Sequence, residues 1–169
     1  IANSAVRAKL ADQLAVADVQ PWTVQAESVV VMDEVVLGEG AALSPFVTLT
    51  SNIRIGRHFH ANLYSFVEHD CVIGDFVTFA PGVKCNGNVH IQDHAYIGAG
   101  AVLKQGSPDK PLVIGQGAVV GMGAVVAALL LIEGGLKGGL GEVANEAGGR
   151  EQSSRWKRHK QLQSHWIHV

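Results

Sequence analysis

Apolar residues recur at every sixth position along most of this chain. From Val31 to Leu103, thirteen successive positions at this spacing are all apolar. A second column, four residues after the first, is apolar or small from Val35 to Ala101. Neither the two-residue period of an ordinary strand nor the 3.6-residue period of a helix produces this spacing. The period therefore predicts short strands separated by a corner every six residues.

Residues that favour turns occupy the gaps between the apolar columns. Glycines follow the first column directly, and glycine or asparagine stands three residues after it: Gly38, Gly56, Gly74 and Gly98 in the first set, and Gly40, Asn52, Gly82, Asn88 and Gly100 in the second. These residues accept the positive φ that a sharp bend requires. Three such strands complete a coil of 18 residues, so residues 31–102 predict four coils of a parallel β-helix. A hairpin-rich β-sandwich is the alternative, but its apolar residues would alternate every two positions.

The repeat is interrupted once and is flanked by different sequence. The segment "GSPDKP", residues 106–111, predicts a loop, after which the register resumes at Ile114. We therefore expect three regions: a helix and linker over 1–24, a β-helix domain over 25–132, and an irregular or helical tail over 133–169. Within the first, residues 3–15 predict an amphipathic helix that covers the open first coil. In the tail, residues 134–150 predict a glycine-rich loop and residues 155–168 a short basic helix.

Composition narrows the classes of function and the location of the protein. Lys and Arg number 13 against 15 Asp and Glu, a net charge of −2 that argues against nucleic-acid binding. The longest apolar run, residues 125–132, is too short to span a bilayer, so we expect no membrane insertion. Cys71 and Cys85 fall in the apolar columns, which predicts reduced thiols in the core and a cytoplasmic protein.

Histidine between two carboxylates is the strongest chemical signal. His69 stands between Glu68 and Asp70, and the apolar neighbours Val67 and Cys71 place this triplet on the outside of a corner. A neutral imidazole is the usual general base near neutral pH, and a carboxylate that accepts its other N–H fixes the tautomer. His58 and His94 are 36 residues apart, which is two coils. At about 10 Å by strand stacking, they cannot share one metal ion within a chain.

Two stretches resemble a known family. Residues 62–106, "NLYSFVEHDCVIGDFVTFAPGVKCNGNVHIQDHAYIGAGAVLKQG", and residues 114–126, "IGQGAVVGMGAVV", are similar to the hexapeptide-repeat acyltransferases. These enzymes include the N-acetyltransferases of bacillosamine and perosamine biosynthesis and the sialic-acid O-acetyltransferases. The resemblance implies a left-handed parallel β-helix, a homotrimer with active sites between subunits, and acetyl-CoA as cosubstrate without a metal. The acceptor would be a sugar or nucleotide sugar.

The resemblance also implies roles for individual residues. His69 corresponds to the general base and Asp70 to the acid that orients it, with Glu68 the less favoured orienter. Asn62 corresponds to an asparagine that contacts the acceptor sugar. Turn residues along the later coils correspond to the coenzyme contacts, namely Gly82, Gly98, Ala99, Gly100 and Gly121. No acyl-enzyme is expected, because Cys71 is predicted to face the core.

The chain also departs from the family pattern. Members commonly carry an N-terminal nucleotide-sugar domain, and residues 1–24 match only its last helix and linker. A second histidine of some members is Thr78 here, and the usual "VPAG" and "GNPA" segments are missing after Val126.

Two other functions remain open from the sequence. The first is a zinc-dependent carbonic anhydrase on the same kind of helix, with ligands drawn from His58, His94 and either His60 or His90 at a subunit interface. The second is a non-catalytic solenoid that serves as a scaffold. The sequence also leaves open which sugar is the acceptor and whether nitrogen or oxygen is acylated.

Overall fold

The structure, a computed structural model, describes residues 3–127. One helix, α1 (Ser4–Val16), precedes seventeen short strands in this part of the chain. The strands are β1 (Val24–Gln25), β2 (Val30–Val31), β3 (Val35–Leu37), β4 (Ala42–Leu43), β5 (Thr48–Leu49), β6 (Ile53–Ile55), β7 (His60–Ala61), β8 (Phe66–Val67), β9 (Val72–Ile73), β10 (Thr78–Phe79), β11 (Lys84–Cys85), β12 (Val89–Ile91), β13 (Tyr96–Ile97), β14 (Val102–Leu103), β15 (Leu112–Ile114), β16 (Val119–Val120) and β17 (Val125–Val126).

The strands stack into three parallel sheets. Sheet 1 contains β1, β4, β7, β10, β13 and β16; sheet 2 contains β2, β5, β8, β11, β14 and β17; sheet 3 contains β3, β6, β9, β12 and β15. Consecutive strands of the chain belong to successive sheets, so residues 24–126 form five complete coils and two sides of a sixth. Partners on adjacent coils are 18 residues apart, as for Thr78 and Tyr96. The predicted parallel β-helix is confirmed, and it begins one coil earlier than the first apolar column suggested.

Both apolar columns form the core of the solenoid. From Leu43 to Leu103 the first column is at most 4% exposed, and the second column is buried from Ala41 to Ala101. Val31 belongs to the first column but is 44% exposed. It lies on the first coil, where no preceding coil covers the inward side chains. Stacking therefore buries what a single coil would leave in water.

The corners take a left-handed backbone whichever residue they contain. Ten non-glycine residues between 3 and 127 have positive φ, among them Tyr64, Asp70 and Phe76. The glycines that directly follow the first column do not share this conformation, contrary to the prediction. They are small for another reason: a Cβ on Gly74 would lie 2.7 Å from the backbone nitrogen of Asp93 on the next coil. Close approach between coils requires glycine there.

Helix α1 lies beside the solenoid and does not cover its first coil, so that interpretation was wrong. Asn3 caps the helix, and its Oδ1 accepts a hydrogen bond from the backbone N–H of Val6 at 3.1 Å. The buried residue of the helix is Arg7, whose guanidinium donates to the carbonyl oxygens of Phe76 and Val77. The expected apolar stripe of Val6, Leu10 and Leu14 is 39–47% exposed. A buried cation anchors the helix to the fourth coil.

The predicted loop separates β14 from β15. Partners in sheet 3 are 18 residues apart before it, as for Ile73 and Ile91, and 23 apart across it, as for Ile91 and Ile114. The loop thus inserts extra residues at one corner without changing the strand order. The predicted basic helix over 155–168 and the glycine-rich segment over 134–150 lie outside the described residues. Among residues 3–127, no helix has the length and apolar character needed to cross a bilayer.

Candidate active site

His69 lies at the corner where β8 of sheet 2 passes into β9 of sheet 3. Its neighbours in the apolar columns, Val67 and Cys71, are 1% and 0% exposed and point into the core. The side chains of His69 and Asp70 are 43% and 44% exposed. The six-residue pattern therefore placed this pair correctly on the outside of the solenoid.

The imidazole and the carboxylate form a direct pair. His69 Nδ1 lies 2.7 Å from Asp70 Oδ2. The hydrogen bond with His69 and a second one from Asn52 hold the pKa of the Asp70 carboxyl below its ordinary value. An ionised carboxylate only accepts hydrogen bonds, so Nδ1 carries the proton and Nε2 of a neutral ring keeps its lone pair. This arrangement presents a base to solvent.

Two residues that sequence reasoning missed hold this pair from neighbouring coils. Asn52 Nδ2 donates to Asp70 Oδ1 at 2.6 Å, so each carboxylate oxygen has its own partner. On the next coil, the His69 ring covers Gly87, where a Cβ would lie 2.6 Å from both Cε1 and Nε2. Both residues stand 17 or 18 positions from the pair. That spacing, combined with the coil length, was the available signal.

The remaining residues around His69 have other surroundings. Glu68 follows β8 and is partly buried, and the hydrogen bond of the imidazole goes to Asp70 instead. Cys71 and Cys85 are free thiols that are fully buried, as predicted. The hydrogen bond with Cys71, together with burial, raises the pKa of the Cys85 thiol. Neither sulfur is placed like an activated nucleophile, which would be exposed beside a base.

Asn62 lies on the same coil as His69 but at the other end of β8. Its Nδ2 donates to the carbonyl oxygen of Phe79 at 2.7 Å, which ties this corner to the next coil. The amide oxygen is the part of the side chain left to meet another molecule. The structure therefore separates Asn62 from the His69–Asp70 pair within one chain.

The five residues matched to coenzyme contacts share one corner, between sheets 1 and 2. They are Gly82 on the fourth coil, Gly98, Ala99 and Gly100 on the fifth, and Gly121 on the sixth. A Cβ on Gly100 or Gly121 would have no heavy atom within 4 Å, and one on Gly82 would have its nearest neighbour at 3.9 Å. We call this column the glycine strip. It leaves a length of backbone that an extended ligand can approach closely.

The glycine strip and His69 lie along opposite edges of sheet 2. Six residues separate the corner at Tyr64 from the corner at Asp70, which spans up to about 20 Å at the usual strand rise. A thioester carbonyl must lie within a few ångströms of the amine that attacks it. The single chain thus holds the two parts of the candidate site apart.

The other histidines do not converge within the part of the chain that the structure describes. Phe76 is stacked between His58 and His94, with ring centroids 4.8 and 5.2 Å away. Burial lowers the pKa of His60 to about 4, and His90 lies exposed on sheet 3. Residues 3–127 contain no group of three His, Cys, Asp or Glu residues that could hold a metal ion.

Comparisons with known proteins agree with the repeat and the corner geometry. The chain is 56% identical over 117 residues to the GDP-perosamine N-acetyltransferase of Escherichia coli O157:H7, covering 69% of this chain and 53% of that protein. It is 31% identical over 97 residues to an acyl-[acyl-carrier-protein]–UDP-N-acetylglucosamine O-acyltransferase of Alkalilimnicola ehrlichii, covering 53% of this chain and 36% of that one. The chain thus spans about half or less of the curated relatives it matches. No protein-family model matches it.

Solved structures give the same result. WeeI from Acinetobacter baumannii AYE is 65% identical with a TM-score of 0.76, covering 77% of this chain and 61% of that one. PerB from Caulobacter crescentus, solved in complex with CoA and GDP-perosamine, is 28% identical with a TM-score of 0.72, covering 77% and 60%. With the solenoid, the corner pair and these relatives together, the chain belongs to the hexapeptide-repeat family of sugar acyltransferases.

Proposed function

We propose that this chain transfers an acetyl group from acetyl-CoA to the amino group of a nucleotide-linked amino sugar. His69 is the general base and Asp70 orients it. The observation that carries this proposal is the pair itself: an exposed imidazole whose Nδ1 is 2.7 Å from a carboxylate and whose Nε2 faces outward. The 56% identity to a GDP-perosamine N-acetyltransferase supports the acceptor class and makes GDP-perosamine the first acceptor to test.

The proposed reaction needs one proton relay. The amine nitrogen of the sugar attacks the carbonyl carbon of the thioester, and a C–N bond forms. His69 Nε2 takes the proton that the nitrogen loses, and Asp70 stabilises the imidazolium that results. The C–S bond then breaks, and the imidazolium returns its proton to the departing CoA sulfur. The buried Cys71 takes no part, so acetyl passes directly from donor to acceptor.

The glycine strip is the proposed contact for the pantetheine arm of acetyl-CoA. Its residues carry no side chain beyond the methyl of Ala99, and Gly100 and Gly121 open onto free space. A CoA complex of PerB, which is 28% identical, supports coenzyme binding by this solenoid. Because the strip and His69 lie on opposite edges of sheet 2, we propose that a complete site combines His69 of one chain with the strip of another. A homotrimer with three such sites is the proposed assembly.

Substitution of His69 tests the proposal. We expect His69→Ala to lower kcat for acetyl transfer to GDP-perosamine at least 100-fold, the usual contribution of a general base, with little change in affinity for acetyl-CoA. Release of free CoA and calorimetric binding are the measurements. His90→Ala is the matched control, since it removes another exposed histidine from sheet 3. Full turnover by His69→Ala would end the base assignment.

Acyl transfer to oxygen is the second candidate, favoured by the 31% identity to an O-acyltransferase. A hydroxyl acceptor would use the same base. Assays that compare amino and hydroxyl sugars attached to the same nucleotide separate the two reactions. Stoichiometric zinc in the purified protein would favour a carbonic-anhydrase-like activity instead, and absence of acetyl-CoA binding would favour a scaffold.

A further inference from the structure

The side chain of Asn52 makes an unusual contact for a corner asparagine of this solenoid. Asn62 and Asn86 each donate through Nδ2 to a backbone carbonyl of the next coil, that of Phe79 and Leu103, both at 2.7 Å. Those bonds tie coil to coil. Asn52 instead donates to a side chain, Asp70 Oδ1, at 2.6 Å. Its amide therefore acts on the carboxylate that faces His69.

We propose that Asn52 is a positioning residue that fixes the Asp70 carboxylate and, through it, the tautomer and orientation of His69. The inference rests on the proposed role of His69 as general base. It adds a third member to the pair, so that the order is Asn52, Asp70, His69, with two short hydrogen bonds in series.

The exposure of Asp70 explains why such a residue is needed. Its side chain is 44% exposed, so an unrestrained carboxylate would rotate and exchange His69 for water. The amide of Asn52 occupies Oδ1 and leaves Oδ2 as the oxygen that faces Nδ1. The bond also requires a particular backbone: both Asn52 and Asp70 have left-handed φ values, of 55° and 59°. Asparagine is among the few residues that adopt this conformation readily and still carry a donor.

Asn52→Gly removes the amide and keeps the corner relaxed, because glycine adopts positive φ without strain. We expect kcat for acetyl transfer to fall about tenfold with KM for acetyl-CoA unchanged, a fraction of what the base itself contributes. Glu34→Gly is the matched control. Glu34 occupies the equivalent corner one coil earlier, also with positive φ, and lies 36 residues before Asp70. We expect it to keep wild-type kcat.

A double-mutant cycle separates positioning from a structural effect. In an Asp70→Gly background, Asn52→Gly should cost no further activity, since its effect passes through the carboxylate. An equal loss in both backgrounds would show that Asn52 acts through the stability of the coil and would overturn the proposal. A single variant with kcat within twofold of wild type would overturn it as well.

The tautomer of His69 gives a readout that does not depend on activity. In 15N-labelled protein, with the His69 signals assigned by their loss in His69→Ala, wild type should show protonated Nδ1 and unprotonated Nε2. Asn52→Gly should show a mixture of the two tautomers. If this shift occurs but no acetyl transfer is detected in wild type, the proposed function fails and the positioning role stands. If His69→Ala abolishes transfer but Asn52→Gly changes neither kcat nor the tautomer, the positioning role alone is wrong.

Discussion

At the scale of the residue, the His69 ring has its position because Gly87 leaves room for it. The ring lies over the backbone of the next coil, where any Cβ would come within 2.6 Å of Cε1 and Nε2. Gly87 does not have positive φ, so its backbone would accept alanine. Glycine is required there by the neighbouring side chain and not by the turn.

Gly87→Ala is therefore expected to reduce activity more than stability. The added methyl would push the imidazole out of line with Asp70, and we expect kcat to fall about tenfold, as for other losses of alignment at an acid–base pair. The cost in stability should stay below about 1 kcal/mol, because a half-exposed ring can rotate away. Rates of CoA release and thermal unfolding are the measurements. Wild-type kcat would show that the ring is not held where the structure has it.

At the scale of the element, glycines of the solenoid differ in what surrounds them. A Cβ on Gly74 would lie 2.7 Å from the backbone nitrogen of Asp93, which cannot move without shifting a coil. A Cβ on Gly121 would meet no heavy atom within 4 Å. Neither glycine has positive φ, so the two form a matched pair that differs in packing alone.

We expect Gly74→Ala to lower the free energy of unfolding by about 1–3 kcal/mol, the usual cost of overpacking. Gly121→Ala should change it by less than about 0.5 kcal/mol, as expected at an open position. Urea midpoints measured at one protein concentration compare the two variants, since assembly makes stability depend on concentration. Equal midpoints would contradict the close stacking of coils at Gly74.

Helix α1 illustrates an element whose presence and position have different causes. Asn3 and the apolar residues Val6, Leu10 and Leu14 were sufficient to predict the helix. Its position depends on Arg7, the residue that a sequence pattern assigns to the solvent side. The guanidinium donates to the carbonyls of Phe76 and Val77, far away in sequence. A buried hydrogen-bonded cation thus decides where the helix lies.

At the scale of the whole molecule, the proposed active site needs two chains. His69→Ala and Gly121→Trp should each be inactive, the first without a base and the second with a filled glycine strip. When both variants are expressed together, mixed trimers contain some sites with an intact His69 and an intact strip. Random mixing would restore about a quarter of wild-type activity.

The same mixing experiment has a clear negative outcome. If both halves of the site belonged to one chain, every chain in the mixture would carry a defect and no activity would return. Light scattering of the wild-type protein provides the control, with three chains per particle expected. A monomer with full activity would contradict the shared site.

Much of the fold follows from the sequence because the repeat is local. The period of six states where each strand ends, and stacking makes every coil repeat the contacts of the last. The loop over 106–111 was visible for the same reason, as a break in register. The corner at His69 was also predictable, since Val67 and Cys71 on either side belong to the buried columns. These features depend on the order of residue types along the chain.

Contacts between coils were decided only by the tertiary structure. Asn52, Asp70 and Gly87 meet because the coils bring residues 17 or 18 positions apart into contact, and which atoms then face each other depends on side-chain geometry. The place of α1 depends in the same way on one buried guanidinium. The sequence by itself determined the solenoid and the side of it on which His69 stands. Only the packed structure determined what holds His69 in place and how far it lies from the glycine strip, because these are distances between coils and between edges that no local pattern encodes.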